Sequence, residues 1–167
     1  MKKIFLTIIF AIAVVFLFAQ NKKDTTKLRP LQNINLSYVG VPTSFAFNYE
    51  RSFLINPRFF LTGQIGIGYY EEFLLFGSDP ENSVTIPHHF TGNWGKGKHL
   101  LEFGLCGFII PGNTGKHYVL GPIVGYRFQP LKSNKVNFRI FGSIPVIGFD
   151  NNIYFAPVGI SVGFVFN

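Results

Sequence analysis

Glu50, Glu102, Arg127 and Arg139 are the residues of this 167-residue chain whose types and spacing point most directly to chemistry. Each shares one side of a two-residue repeat with small or polar neighbours: Asn48 and Ser52 beside Glu50, Gly104 beside Glu102, Gly125 beside Arg127, Asn137 beside Arg139. Two carboxylates and two guanidiniums removed from bulk water need one another, because an unpaired buried charge is costly and a planar guanidinium binds a carboxylate at two points. Gathered into one layer, they would plug an interior and hold neighbouring elements in register. The alternative use of such a layer is a gated ion path.

A second set of residues alternates on the same sides and is small or aromatic: Ala46, Gly66, Gly68, Tyr70, His89, Gly104, Phe108, Gly121, Phe141 and Gly159. Either the aromatic side chains fold across the space that the glycines leave, or that space is a candidate apolar pocket for an acyl chain or a small hydrophobe. No catalytic residue is assigned. A nucleophilic serine needs a base within hydrogen-bond reach, and no His-x-Ser element occurs in the chain. His89 with Ser143, facing each other across an interior, is the arrangement left for such chemistry. His89, His99 and His117 lack partners at ligand spacing, so no metal and no cofactor is expected. Asp79 and Glu81 read as a solvated acidic tip.

Strands must position these groups. From Phe59 the odd positions run Phe59, Leu61, Gly63, Ile65, Ile67, Tyr69, and the even positions from Thr62 run Thr62, Gln64, Gly66, Gly68, Tyr70. A period of two gives a strand with one apolar and one polar face. The same alternation predicts eight strands: 33–39, 43–54, 58–70, 83–94, 98–110, 116–129, 136–147 and 153–166. His88 falls on the wrong face of the fourth, and Pro87 beside it predicts a bulge or an edge irregularity. An even number of hairpin-linked strands, aromatic and aliphatic on one face and polar or glycine on the other, is the pattern of a lipid-embedded barrel. The fold class is therefore all-β, an eight-stranded antiparallel up-and-down transmembrane β-barrel. Eight strands leave an interior that side chains just fill, which argues against a permanent pore.

The N-terminus supports a membrane destination. Met-Lys-Lys, an apolar run from Ile4 to Phe18 and Ala19-Gln20 form the three parts of a secretory signal, with cleavage expected after Ala19. Residues 20–31 read as a flexible leader, and 32–167 as the barrel. Without Lys2 and Lys3, thirteen basic residues face eight acidic ones, a net charge of +5. The basic residues are scattered singly, so a nucleic-acid partner is not expected. Cys106 is the only cysteine, which excludes an intramolecular disulfide.

Loop length sets orientation, since the turns on the periplasmic side of such barrels are short and the outer loops longer. Both ends of the barrel sequence, with the connections at 55–57, 95–97 and 130–135, go to the periplasm. Trp94, Tyr126 and Phe166 would form the inner aromatic girdle, and Tyr38, Tyr69 and Tyr118 the outer one.

The Ala-Gln junction, Asn48-Tyr49-Glu50-Arg51-Ser52-Phe53, Gly66-Ile67-Gly68-Tyr69-Tyr70, Thr85-Ile86-Pro87-His88, Gly125-Tyr126-Arg127-Phe128 and Gly159-Ile160-Ser161-Val162-Gly163-Phe164 together resemble small outer-membrane β-barrel proteins of Bacteroidota. The likeness covers nearly the whole mature chain and extends to the small OmpA/OmpX-type barrels. It implies location in the cell outer membrane, contact with outer-membrane lipids, insertion by the barrel assembly machinery and a monomeric state. It implies no assigned activity. A structural, adhesion or small-ligand and lipid-interaction role is expected, with a lipid-modifying enzyme or a narrow channel as the alternatives.

Overall fold

The computed structural model describes residues 29–38, 45–56, 58–71, 82–111, 118–132, 134–148 and 157–167, the side chains of Leu54, Ile55, Tyr70, Glu71 and Asn82 excepted. Alternating β-branched, aromatic and small residues favour extended backbone over helix, and all regular structure among the described residues is strand. The eight strands are β1 (Gln32–Tyr38), β2 (Phe45–Asn56), β3 (Phe59–Glu71), β4 (Asn82–Trp94), β5 (His99–Ile109), β6 (Tyr118–Phe128), β7 (Lys135–Ser143) and β8 (Val158–Phe166). Each pairs antiparallel with the next and β8 pairs with β1, closing the sheet into an up-and-down barrel with no free edge. The expected all-β, eight-stranded architecture is thus the observed one.

The expected faces also hold. Phe47, Ile65, Ile67, Val124 and Trp94 are more than half exposed, whereas Asn48, Glu102, Arg127 and Asn93 are sealed from solvent. Polar groups inside and apolar groups outside is the reverse of a water-soluble protein. The end bearing the start of β1 and the finish of β8 is called the lower end below. Connections there are short, at 57–58, 95–98 and 129–134. Asn56 shapes the first, its Oδ1 accepting from the Arg58 and Phe59 amides at 2.9 and 2.8 Å. Gly97 shapes the second with φ of +71°, a conformation glycine adopts without strain.

Of two expectations about strand geometry, the irregularity at Pro87 is present but without a bulge, and the reach of the seventh strand is corrected. The β3–β4 register is the same above and below Pro87, from Ile65 opposite His88 to Gly68 opposite Thr85. Pro87, lacking an N–H, interrupts the pairing for two residues but inserts no bulge. His88 simply faces outward. Its register partner Gly107 leaves the neighbouring position empty, and the imidazole crosses it to stack on Tyr118 at 5.5 Å and 7°, with Nε2 3.2 Å from the phenol oxygen. The seventh strand, expected to reach Ile147, ends at Ser143, where Pro145 ahead of it has no amide for the β8 ladder.

Arg29, Pro30 and Leu31, the end of the segment read as a leader, lie across the lower mouth. The Ser52 amide donates to the Leu31 carbonyl at 2.7 Å and Gln129 Nε2 to the Pro30 carbonyl at 3.2 Å. The Arg29 guanidinium donates to the Gly97 carbonyl and lies 5.3 Å from the centre of the Phe60 ring. Phe60, Leu100 and Val165 are buried at that end.

Candidate functional site

The four charged residues meet. β2 carries Glu50, β5 Glu102, β6 Arg127 and β7 Arg139, each at an inward position, and none is more than 1% exposed. Arg127 binds Glu50 bidentately, Nη1 to Oε1 at 2.5 Å and Nη2 to Oε2 at 2.7 Å. Arg139 binds Glu102 in the same manner, Nε to Oε2 at 2.9 Å and Nη2 to Oε1 at 2.6 Å. The pairs are cross-linked: Arg127 Nη2 reaches Glu102 Oε1 at 3.1 Å, and Arg139 Nη1 reaches Glu50 Oε2 at 3.4 Å. Two positive and two negative groups cancel, and every carboxylate oxygen accepts from a guanidinium.

Register explains why all four are needed. Arg127 and Arg139 lie directly opposite each other on adjacent strands, an arrangement of like charges that destabilises a sheet unless it is compensated. Glu50 and Glu102 supply that compensation, Glu50 from the far side of the lumen. Five strands are tied across the lumen once Gln64 is included. Gln64, in register with Glu50, accepts from Arg139 Nη1 at 2.5 Å.

The network extends into neutral groups that were not singled out in the sequence. Thr91 Oγ1 donates to Glu102 Oε1 at 2.9 Å and is 2.6 Å from Thr62 Oγ1, which accepts from Asn93 Nδ2 at 3.1 Å. On the β8–β1–β2 side, Asn35 Oδ1 accepts from Asn48 Nδ2 at 3.1 Å and from Ser161 Oγ at 3.0 Å. The available signal was position alone: each of these residues is a polar side chain on the inward parity of its strand.

Above the charged layer, Phe108 and Phe141 pack with Cys106, Ile110, Val119 and Ile123 in one buried apolar cluster. Ala46 and His89 are buried on the same inner surface, and His89 meets the edge of Phe141 at 5.8 Å. Gly68, Gly121 and Gly159 are buried and Gly66 and Gly104 are partly so; the Tyr70 side chain is outside the described set. A Cβ at Gly104 would run into the Phe90 carbonyl, and one at Gly121 into the Ile144 carbonyl. These two glycines therefore admit neighbouring backbone, and Phe108 and Phe141 occupy the level assigned to the candidate pocket. Ser143 lies beside the Cys106 thiol, and no hydrogen bond joins its Oγ to His89, so His89 does not hold it as a base would.

The remaining histidines divide. His99 Nδ1 lies 2.6 Å from the Tyr126 hydroxyl on the outer surface near the lower end, matching the His88–Tyr118 pair near the upper one. His117, Asp79 and Glu81 lie outside the described residues. Among the described residues no group of three His, Cys, Asp or Glu side chains could hold a metal ion. Comparison of the chain with protein-family models, with curated proteins and with solved structures finds no match.

Proposed function

We propose that this protein is an integral outer-membrane β-barrel with a closed lumen, acting as a structural and lipid-interacting element of that membrane rather than as a pore. The observation that carries the reading is the radial distribution of side chains. Large apolar residues are exposed on all eight strands, while Glu50, Glu102, Arg127, Arg139 and most amide side chains of the wall turn inward; the exposed charges Arg51 and Lys135 lie at the lower end. Soluble monomers rarely expose an apolar patch beyond a few hundred Å², and a band that encircles the molecule is suited to hydrocarbon. Trp94 and Tyr126 at the lower end and Tyr38, Tyr69 and Tyr118 at the upper end are exposed outward, the places where aromatic girdles meet the two interfaces.

The short connections put the lower end in the periplasm, with Arg29 to Leu31 closing that mouth. The N-terminal 19 residues serve as the export signal, and the barrel assembly machinery inserts the chain. The resemblance to small outer-membrane barrels of Bacteroidota supports the same location. The Glu/Arg layer leaves no unpaired charge to draw an ion through the lumen, and the aromatic cluster above it adds a second closure.

Membrane fractionation followed by electrophoresis of unheated and heated samples tests the reading. The protein should stay with the outer membrane after a high-salt wash and migrate faster before heating than after. Release into the soluble fraction would overturn it. In planar bilayers the refolded protein should give no steady conductance.

A further inference from the structure

Among the described residues the exposed charged side chains gather at the lower end, and all of them are positive. Arg58 sits in the turn between β2 and β3, Lys96 and Lys98 in the turn between β4 and β5, Lys132 in the turn between β6 and β7, and Lys135 at the start of β7. Arg51 faces outward on β2, opposite Gln32 at the start of β1. The two carboxylate side chains at this end, Glu50 and Glu102, are buried and already held by Arg127 and Arg139. Among the described residues no ion pair holds any of the six exposed cations.

Each of the three lower hairpins contributes to this row, and backbone bonds draw them together. The Gly95 amide donates to the Arg58 carbonyl at 2.9 Å, which sets Arg58 next to the turn that bears Lys96, and the Gln129 amide donates to the Lys98 carbonyl at 2.8 Å, which carries the row on toward Lys132. Beside the row the outer wall is aromatic. Trp94, opposite Phe59, is exposed, and the His99 ring stands between the Tyr126 hydroxyl, at 2.6 Å, and the Phe128 ring, at 5.5 Å. Long Lys and Arg stems lie along apolar surface while their charged heads reach water, so cations next to an aromatic belt stand at the depth of lipid headgroups. A partner docking from one direction would be met by a one-sided patch. A row that follows every lower hairpin fits a charged surface that surrounds the barrel.

We propose that the lower rim binds the phosphates of phospholipids with a net negative headgroup and enriches them around the barrel in the periplasmic leaflet. This preference presupposes the membrane location proposed above. A zwitterionic headgroup carries its own ammonium beside the phosphate, so an exposed Lys or Arg gains little from it. At an anionic surface one such cation favours the charged lipid about fivefold, or about 1 kcal/mol. The attraction is screened over ~10 Å at 0.1 M salt and ~3 Å at 1 M. Salt therefore separates it from contacts made by the apolar wall.

Trp94 is the only tryptophan of the chain and stands beside Arg58 and Lys96, so its fluorescence reports the lipid at this rim. The full-length protein is refolded in phosphatidylcholine vesicles containing a rising fraction of either phosphatidylglycerol or phosphatidylcholine, brominated near the headgroup end of one acyl chain. In low salt, brominated phosphatidylglycerol should quench Trp94 with an apparent affinity about fivefold above that of brominated phosphatidylcholine. In about 1 M salt the two should quench alike. Arg58→Gln combined with Lys96→Gln and Lys98→Gln should bring the ratio to about one in low salt, with heat-modifiable mobility retained as the sign of a folded barrel. Lys96→Gln alone should lower the ratio about twofold and serves should the triple variant not refold. Equal quenching by the two lipids in the unaltered protein, or a preference unchanged by salt and by the substitutions, would overturn the binding of anionic phospholipid while leaving the membrane reading intact. Absence of quenching by either lipid would overturn the membrane reading itself.

Discussion

The lower and upper halves of this barrel solve the problem of a narrow lumen in opposite ways. Below, Glu50, Glu102, Arg127 and Arg139 span the interior with directional, charge-assisted bonds at 2.5–3.4 Å, and the wall around them is fully laddered. Above, Phe108, Phe141 and Ile123 fill the interior without direction, and the wall parts between β7 and β8. The contrast teaches that register across a small barrel is set where charges meet. A one-residue slip of any of those strands would turn its charge out toward the apolar surface, whereas an apolar cluster tolerates adjustment at modest cost. The half freed from that constraint is the half in which the wall opens.

The largest expected effect breaks the lower half. Glu102→Gln removes one of the two charges that hold Arg127 and Arg139 side by side, and urea unfolding in lipid vesicles should show a loss of about 3–5 kcal/mol, the cost of stranding a buried charge. If the loss stayed below about 1 kcal/mol, the network would be structural decoration and the contrast between the halves would fail. A double-mutant cycle of Glu50→Gln with Arg127→Met is next. Their bidentate contact at 2.5 and 2.7 Å should yield a coupling of roughly 1–3 kcal/mol, whereas an equivalent cycle of Glu50 with Ile123 should be additive within about 0.5 kcal/mol.

A third change probes the closure of the lower mouth. Arg29→Ala removes the bond to the Gly97 carbonyl and the cation over Phe60, for an expected loss of about 1–2 kcal/mol. Limited proteolysis near the start of β1 should accelerate in parallel. The smallest effect belongs to the upper half: Ile123→Val should cost about 0.5–1.5 kcal/mol in the same unfolding assay, with the lower-half network unaltered.

Much of this architecture was legible in the chain. Inward and outward sets follow from the alternation in every strand, because an apolar outer surface and a narrow lumen leave each residue a choice of two environments. Glu50, Glu102, Arg127 and Arg139 stood out because a charge on an inward position has no solvent to face. Gln64 did not, since its bond to Arg139 depends on the β2–β3 register, which shifts at a bulge between Leu54 and Asn56 before the hairpin closes. Arg29 was read as part of a flexible leader because nothing local shows that Phe60 and the Gly97 carbonyl wait above it. His88 looked misplaced because its tyrosine partner is 30 residues away.

By itself the sequence determined strand number, facing and the level of the charges, all consequences of a two-residue period that any segment carries locally. Which guanidinium meets which carboxylate, the placing of Arg127 against Arg139, and the parting of β7 from β8 were decided only by the closed sheet. Those depend on inter-strand register and on contacts spanning up to 89 residues between Arg139 and Glu50, a distance over which no local pattern carries information.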